Sequence, residues 1–248
     1  ILLEAQEENW EEIDLMIRTF QRVNMAIKYA SRPVLVAPFG LTLGGGCEMC
    51  LHATVIQAAA EAYIGLVELG VGLIPAGGGT KEMLLRSLNR ARKSDEGDYF
   101  VHLRDAFETI ATAKVSSSGY DARNLGFLSH WDGISMNRDC LLRDAKKTVQ
   151  ARIQSGYQKP APASNIVVLG DRALATLKIG MHQLRRGEYI SEYDFFLGSK
   201  LAYVLCGGDS NSLQEVSEQY VLDLERETFL SLCGERKTQE RIQYMLKK

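Results

Sequence analysis

No run of this 248-residue chain reaches the roughly 18–20 apolar residues of a membrane-spanning helix, which removes a helical span from the reading. Nor is there a block of one charge sign. The net charge is −2, with basic and acidic residues interspersed, so the chain carries no nucleic-acid footprint. Cysteine is scarce and odd in number, at five; a chain this large needs no disulfide staples, and the usage fits a reducing compartment. No repeat or low-complexity tract appears. No Gly-Lys-Ser/Thr follows a glycine cluster, which excludes a Walker loop, and the G-x-G-x-x-G spacing of a dinucleotide fingerprint is missing. The chain also lacks a leading Met and a signal peptide: Ile1 begins inside a helical approach. That start reads as a fragment or a processed product.

What is present is ordinary globular composition, 46% apolar and 24% charged. The length suits one large or two small domains. Apolar residues at Trp10, Ile13, Ile17, Phe20, Val23 and Ile27 mark one buried face of a helix over 4–29, with acids near its start. Pro33–Phe39 reads as a buried strand. Gly40–Glu48 follows as a glycine loop, and a helix is expected from Met49. Short strands are expected at Thr54–Ala59 and Ala62–Leu66, and a second glycine turn at Gly72–Gly79, with Thr80 capping a helix to about Leu88. Lys93–Asp98 reads as a charged loop. Helices are expected over Leu103–Ala113, from Ser118 to Gly126, and over Arg138–Gln154 with Asn137 as cap. A linker then runs to about Asp171. Four more helices follow, at about 171–186, 191–206, 213–232 and 236–247.

The stretch Gly40-Leu-Thr-Leu-Gly-Gly-Gly-Cys-Glu48 is the informative one. Three glycines at a helix start let backbone approach a ligand and leave N–H groups free for an anion or a developing oxyanion. The alternative is a tight turn with a surface glutamate. Between Ser31 and Thr80 the only acids are Glu48, Glu61 and Glu68. Glu48 and Glu68 each flank a glycine loop, and two carboxylates beside an oxyanion-type loop suit a base that activates water and an acid that protonates carbon. Cys47 and Cys50 form a lone C-x-x-C. Redox and zinc readings compete there with plain helix packing, which the absence of a second pair favours, as does the nearness of His52. His52, His102, His130 and His182 read as structural or exposed, and Trp131 and Tyr193 as packing residues. Arg185-Arg186 and Lys146-Lys147 read as solvated helix faces rather than contacts to a CoA phosphate.

Ala37–Glu48 and Gly72–Thr80, with Glu68 four residues before Gly72, resemble the two signatures of the crotonase, or enoyl-CoA hydratase/isomerase, family. Ser118–Phe127 and Glu225–Gly234 resemble its later helices. Tyr189–Phe195 and Lys200–Gly208 are similar to the tail of bacterial fusions of 3-hydroxyacyl-CoA dehydrogenase with enoyl-CoA hydratase, in fatty-acid β-oxidation. The resemblance implies an α/β fold: a crotonase (ClpP-like) ββα spiral, incomplete at its N-terminus, with a helical C-terminal region. It implies a crotonase-like body over 1–158 and a helical region over 159–248. It implies reversible hydration of a trans-2-enoyl-CoA, with Δ3,Δ2-enoyl-CoA isomerisation or a non-catalytic acyl-CoA-binding scaffold as alternatives. By residue, it makes Glu48 and Glu68 catalytic, Gly45 N–H an oxyanion donor, and Gly44, Gly72 and Pro75 substrate-binding.

A second oxyanion donor would come from an upstream loop that also binds the CoA adenine, just before this chain begins. An exposed apolar patch is therefore expected where the first strands belong. No metal and no cofactor is implied for this chain: CoA arrives as the thioester substrate, and NAD belongs to the dehydrogenase part. Expected partners are an acyl-CoA thioester and further copies of the chain or the dehydrogenase part, with neither nucleic acid nor a membrane span. The expected location is the bacterial cytoplasm.

Overall fold

The computed structural model describes residues 1–92 and 98–247, so the loop expected at Lys93–Asp98 lies, Asp98 apart, outside the described residues. The first expected helix is two, α1 (Leu2–Gln6) and α2 (Trp10–Lys28). They part at Glu8, whose φ is +56°, where Asn9 turns back to bond both the backbone and the side chain of Glu4. Ile13 and Ile17 are buried on α2 as expected. Trp10 and Val23 are exposed, and Gln21 and Asn24 take the inward face.

The next segment is two strands instead of one buried strand. These are β1 (Leu35–Val36) and β2 (Gly40–Leu43), split by Pro38 and by Gly40 at φ +58°, and both are only partly buried. Then come α3 (Gly45–Leu51), β3 (Val55–Ala59), β4 (Ala62–Gly65), a 3-10 turn at Glu68–Val71 and α4 (Gly79–Ala91). The helix expected from Met49 thus begins four residues earlier. Thr80 lies inside α4, with Gly78 at the cap position, and its hydroxyl donates to Pro75 O instead. α5 (Tyr99–Ala111), α6 (Gly119–Asn124), β5 (Gly133–Ser135) and α7 (Leu141–Gln154) complete the first part. Ser118 caps α6 through Asp121 N–H, as its residue type favours.

The strands fall into a repeating pattern. β1, β3 and β5 form one parallel sheet, while β2 and β4 form a second parallel pair with Gly40 opposite Ala62 and Leu43 opposite Gly65. Each turn of chain lays one strand in each sheet and follows with a helix or turn, which is a ββα spiral. β3 is buried along its whole length between the helices. On the β2–β4 pair, register partners Leu41 and Tyr63 are exposed, Leu41 by 75%, and Phe39 is half exposed beside them, an apolar surface of the kind expected.

The remainder is β6 (Ile166–Val168), α8 (Gly170–Arg186), α9 (Glu192–Leu205), β7 (Gln214–Val216), α10 (Glu218–Cys233) and α11 (Arg236–Leu246). The expected linker contains β6, which pairs antiparallel with β7. Ser191 and Asp194 form a capping box at α9. α9 runs through the interior on Leu197, Leu201, Val204 and Leu205, against α5 and α8, while α10 lies on α2. A single apolar cluster joins residues from both parts of the chain. Among the described residues no helix is long and apolar enough to cross a membrane.

Candidate active site

The β2–β4 register delivers the two loops to one place. Gly44, just after β2, donates to Gly65 O at 2.9 Å. Its φ is +55°, and a Cβ built on it would stand 3.3 Å from Glu68 Oε1. Glycine is required there by both backbone and space. Gly45 opens α3, so its N–H has no partner within the helix. One turn on, Glu48 is 3% exposed and turns back toward the second glycine loop. Its Oε1 accepts from Gly77 N–H and Gly79 N–H, both at 2.8 Å. A Cβ on Gly77 or Gly79 would come within 2.7 Å of that carboxylate.

Both acids are raised above the ordinary carboxylate range. Burial raises Glu48, opposed by the Gly79 and Gly77 N–H groups and by the Lys81 charge. Burial raises Glu68 too, and the Glu48 charge adds to it. Glu68 Oε2 is buried and has no hydrogen-bond partner among the described residues. The site thus has one carboxylate gripped by amides and one carboxyl favoured in its protonated form, the division that base and acid roles require.

The structure brings Glu48, Glu68, Gly44 and Gly45 together, with Pro75 packed against Gly79 behind Glu48. Gly72 lies elsewhere: it ends the 3-10 turn at φ +87° beneath Thr238 of α11, whose hydroxyl donates to Gly72 O at 2.6 Å. Cys47 and Cys50 are buried free thiols, and burial pushes Cys50 up to about 11. His52 Nε2 accepts from Lys81 at 2.9 Å, and its Nδ1 donates to Glu48 O at 2.7 Å. Burial drives His52 down to about 4, so it is a neutral linker. Among the described residues no group of three or more His, Cys, Asp or Glu is placed to hold a metal.

Four residues at the site were not singled out for it by the sequence. The Phe20 ring lies 3.3 Å from a Cβ position on Gly45 and 2.3 Å from one on Gly77, so it seals the space between the two glycine loops. Gln21 Nε2 donates to Ala76 O at 2.8 Å and Asn24 Nδ2 to Gly77 O at 2.8 Å, which fixes the second loop to α2. Glu225 of α10, wholly buried, accepts from Lys81 N–H and Gly78 N–H. Two carboxyls, Glu48 and Glu225, therefore share the amides at the start of α4, where the helix dipole favours negative charge.

Below them lies a charge network. Lys81 Nζ, fully buried, reaches Glu82 at 2.6 Å and Glu218 at 2.8 Å, and Lys28 Nζ reaches the same two oxygens at 2.6 and 2.7 Å. Two cations balance two anions, and the Lys81 and Lys28 charges outweigh burial to hold Glu82 well below the ordinary range. Among the described residues Glu225 has no cation to itself. Burial first, then the Glu48 charge, raise it well above 4.5.

A carboxyl raised in the folded state stabilises most below its unfolded value near 4.5, and that contribution fades as pH rises toward the folded value. Glu225→Gln removes the proton that folding retains. The variant's stability relative to the parent is expected to climb with pH, by at most about 1.4 kcal/mol per unit above about pH 5. Urea unfolding across that range reads it, and a difference independent of pH would show Glu225 to be ionised.

Residues 2–94 match the family model described as enoyl-CoA hydratase/isomerase. A Bacillus subtilis protein named "Probable 3-hydroxyacyl-CoA dehydrogenase" is 48% identical over 248 residues, which is all of this chain and 31% of that protein. The rat mitochondrial methylglutaconyl-CoA hydratase is 37% identical over 98 residues, 40% of this chain and 26% of that one. The chain spans about three tenths of the length of the curated relatives it matches from end to end. A solved structure of a carnitinyl-CoA dehydratase from Mycobacterium thermoresistibile superposes with a TM-score of 0.61 at 19% identity, over 99% of this chain and 70% of that one. At that identity the likeness concerns the fold, which is the crotonase fold.

Proposed function

We propose that this chain, whose residues 2–94 match the enoyl-CoA hydratase/isomerase family model and whose fold is that of the crotonases, adds water reversibly to a trans-2-enoyl-CoA to give the 3-hydroxyacyl-CoA. The observation that carries the reading is the pair of raised carboxyls, Glu48 and Glu68, facing one glycine corner. Gly45 N–H, at the positive end of α3, stabilises charge on the thioester oxygen as the double bond is attacked. Water held between the carboxyls loses a proton to the ionised one and adds through oxygen to C3. The protonated carboxyl gives its proton to C2. The two carboxyls exchange roles over the cycle, and the reverse reaction expels water. Gly44 and Pro75 shape the pocket, and Gly72 holds the turn behind Glu68.

A second reading is Δ3,Δ2-isomerisation, with Glu68 alone moving a proton between C4 and C2. It is supported by one asymmetry: Glu48 Oε1 is tied to two amides, whereas Glu68 Oε2 has no partner among the described residues. In either case the reading needs no cofactor held by this chain, only a CoA thioester as substrate. Two relatives are named for a fatty acid oxidation complex and one as a 3-hydroxyacyl-CoA dehydrogenase; on this reading the chain works in fatty-acid oxidation in a bacterial cytoplasm, with the dehydrogenase chemistry in another part of a longer protein. Within that protein, 1–158 forms the crotonase-like body and 159–248 a helical region that packs on it or on a neighbour.

The test is spectrophotometric. Conjugated 2-enoyl-CoA absorbance is expected to fall on adding the chain, and a version extended upstream is expected to do this faster if a second oxyanion donor lies there. Growth of that absorbance from a 3-enoyl-CoA would move the assignment to isomerase. No change with either substrate in either version would sink both.

A further inference from the structure

One wide opening among the described residues lies away from Glu48, Glu68 and Gly45. It is a cavity of about 1090 Å³ bordered by the far ends of the same helices: His52 after α3, and Arg86 and Arg90 late in α4. Arg123 of α6 and Arg152 of α7 join them on its basic wall, which Lys28 and Arg92 also border. Several arginines elsewhere have carboxylate partners, as in Arg226 with Asp14, Arg236 with Glu240 and Arg241 with Asp194. Among the described residues none of Arg86, Arg90, Arg123 and Arg152 does. Arg86 donates to Leu51 O, Phe127 O and Ser129 Oγ, and Arg123 donates to Asp132 O, all neutral acceptors. Arg90 and Arg152 donate to nothing among the described residues.

The acids in the wall are already committed. Asp132 accepts from Ile56 N–H at 2.8 Å and Ser129 N–H at 2.6 Å. Glu82 is held by Lys28 and Lys81. Arg90 is packed against Gly126, where a Cβ would lie 2.3 Å from its Nη2. Burial lowers its proton affinity first and the neighbouring Arg86 charge adds to that, against the opposing charge of Asp105. Four guanidinium groups on one cavity wall, none of them in an ion pair with a carboxylate among the described residues, are an arrangement that a multivalent anion relieves, and a low-dielectric wall strengthens the attraction. The volume suits a ligand of nucleotide size, and guanidinium forks match phosphate oxygens in pairs.

We propose that this cavity binds a small molecule carrying two or more phosphate groups, with Arg86, Arg90, Arg123 and Arg152 as its phosphate contacts. The site is separate from the proposed catalytic pair and does not depend on that reading. Calorimetric titration of the whole chain with inorganic pyrophosphate tests it, with ADP as a second probe. Saturable binding is expected, weakening as salt is raised. Arg90→Gln and Arg152→Gln remove side chains that hold no partner among the described residues, so melting should stay close to that of the parent. Each is expected to weaken pyrophosphate binding by about tenfold or more, the loss of one charge-assisted contact. Arg236→Gln, on an exposed helix elsewhere, should leave it unchanged. ADP binding more tightly than pyrophosphate would identify a nucleotide, and equal binding a bare diphosphate; both support the proposal. No saturable binding, or binding that survives the Arg90→Gln/Arg152→Gln double variant, overturns it.

Discussion

Glu48→Gln and Glu68→Gln are each expected to slow hydration of a 2-enoyl-CoA by roughly 10²–10⁴-fold, the usual loss when one acid or base is removed. The amide is isosteric, and at position 48 its oxygen can still accept from Gly77 and Gly79 N–H, so the loop stays in place. Acyl-CoA binding should therefore change little, and the loss should fall on kcat. The two variants also separate the two reactions. If Glu68 alone moves the proton, Glu68→Gln abolishes isomerisation of a 3-enoyl-CoA while Glu48→Gln nearly preserves it. In the parent the rate should fall on both sides of an optimum. Its acid limb should lie well above the ordinary carboxylate value of 4.5, because both groups are raised. Full activity of both variants on both substrates would reject the assignment.

The largest stability effect is expected at Lys81. Lys81→Met keeps most of the side-chain volume but leaves Glu82 and Glu218 with Lys28 as their only ammonium partner among the described residues. Removing one member of a buried ion network costs about 3–5 kcal/mol, because the remaining charge is neither solvated nor paired. The pH dependence distinguishes this from a packing defect. Glu82 and Glu218 are held below 4.5 in the fold, so their contribution is present above that value and is lost as pH falls through the folded one. The deficit of Lys81→Met should accordingly be greatest near neutrality and shrink in acid. Urea unfolding at about pH 7 and about pH 3 measures it. A variant as stable as the parent would mean that the network contributes nothing.

The sequence discloses the site unevenly, for physical reasons. Glycines at 44, 77 and 79 and glutamates at 48 and 68 stand out because close approach and proton transfer restrict residue type. The helix start at Gly45 was harder to see: glycine is a poor helix former, yet the Phe20 ring, 3.3 Å from where a Cβ would stand, favours a residue without one. Pro33–Phe39 reads as one apolar strand, but only Leu35–Val36 of it pairs, and a second strand, Gly40–Leu43, opens the stretch that reads as a glycine loop. Gln21 and Asn24 look like the wet side of α2, and Phe20 like ordinary core. Periodicity cannot show that the facing surface is a loop with bare carbonyls, which amides satisfy and valine does not. Glu225 is less legible still, since its partner is a backbone N–H 144 residues earlier.

Those separations bear on how the molecule reaches its native state. Gln21 alone ties Ala76 to Leu222, the latter 201 residues away, and Glu48 meets its amides only after the intervening chain has folded back. Closing such loops costs entropy before any contact returns it. The helices and the parallel strands can form early, but the carboxyl nest needs both ends of the chain docked at once. Refolding followed by circular dichroism should therefore run ahead of refolding followed by recovery of activity. A preparation with full helical content and no turnover would be a population whose last long-range contacts have not closed.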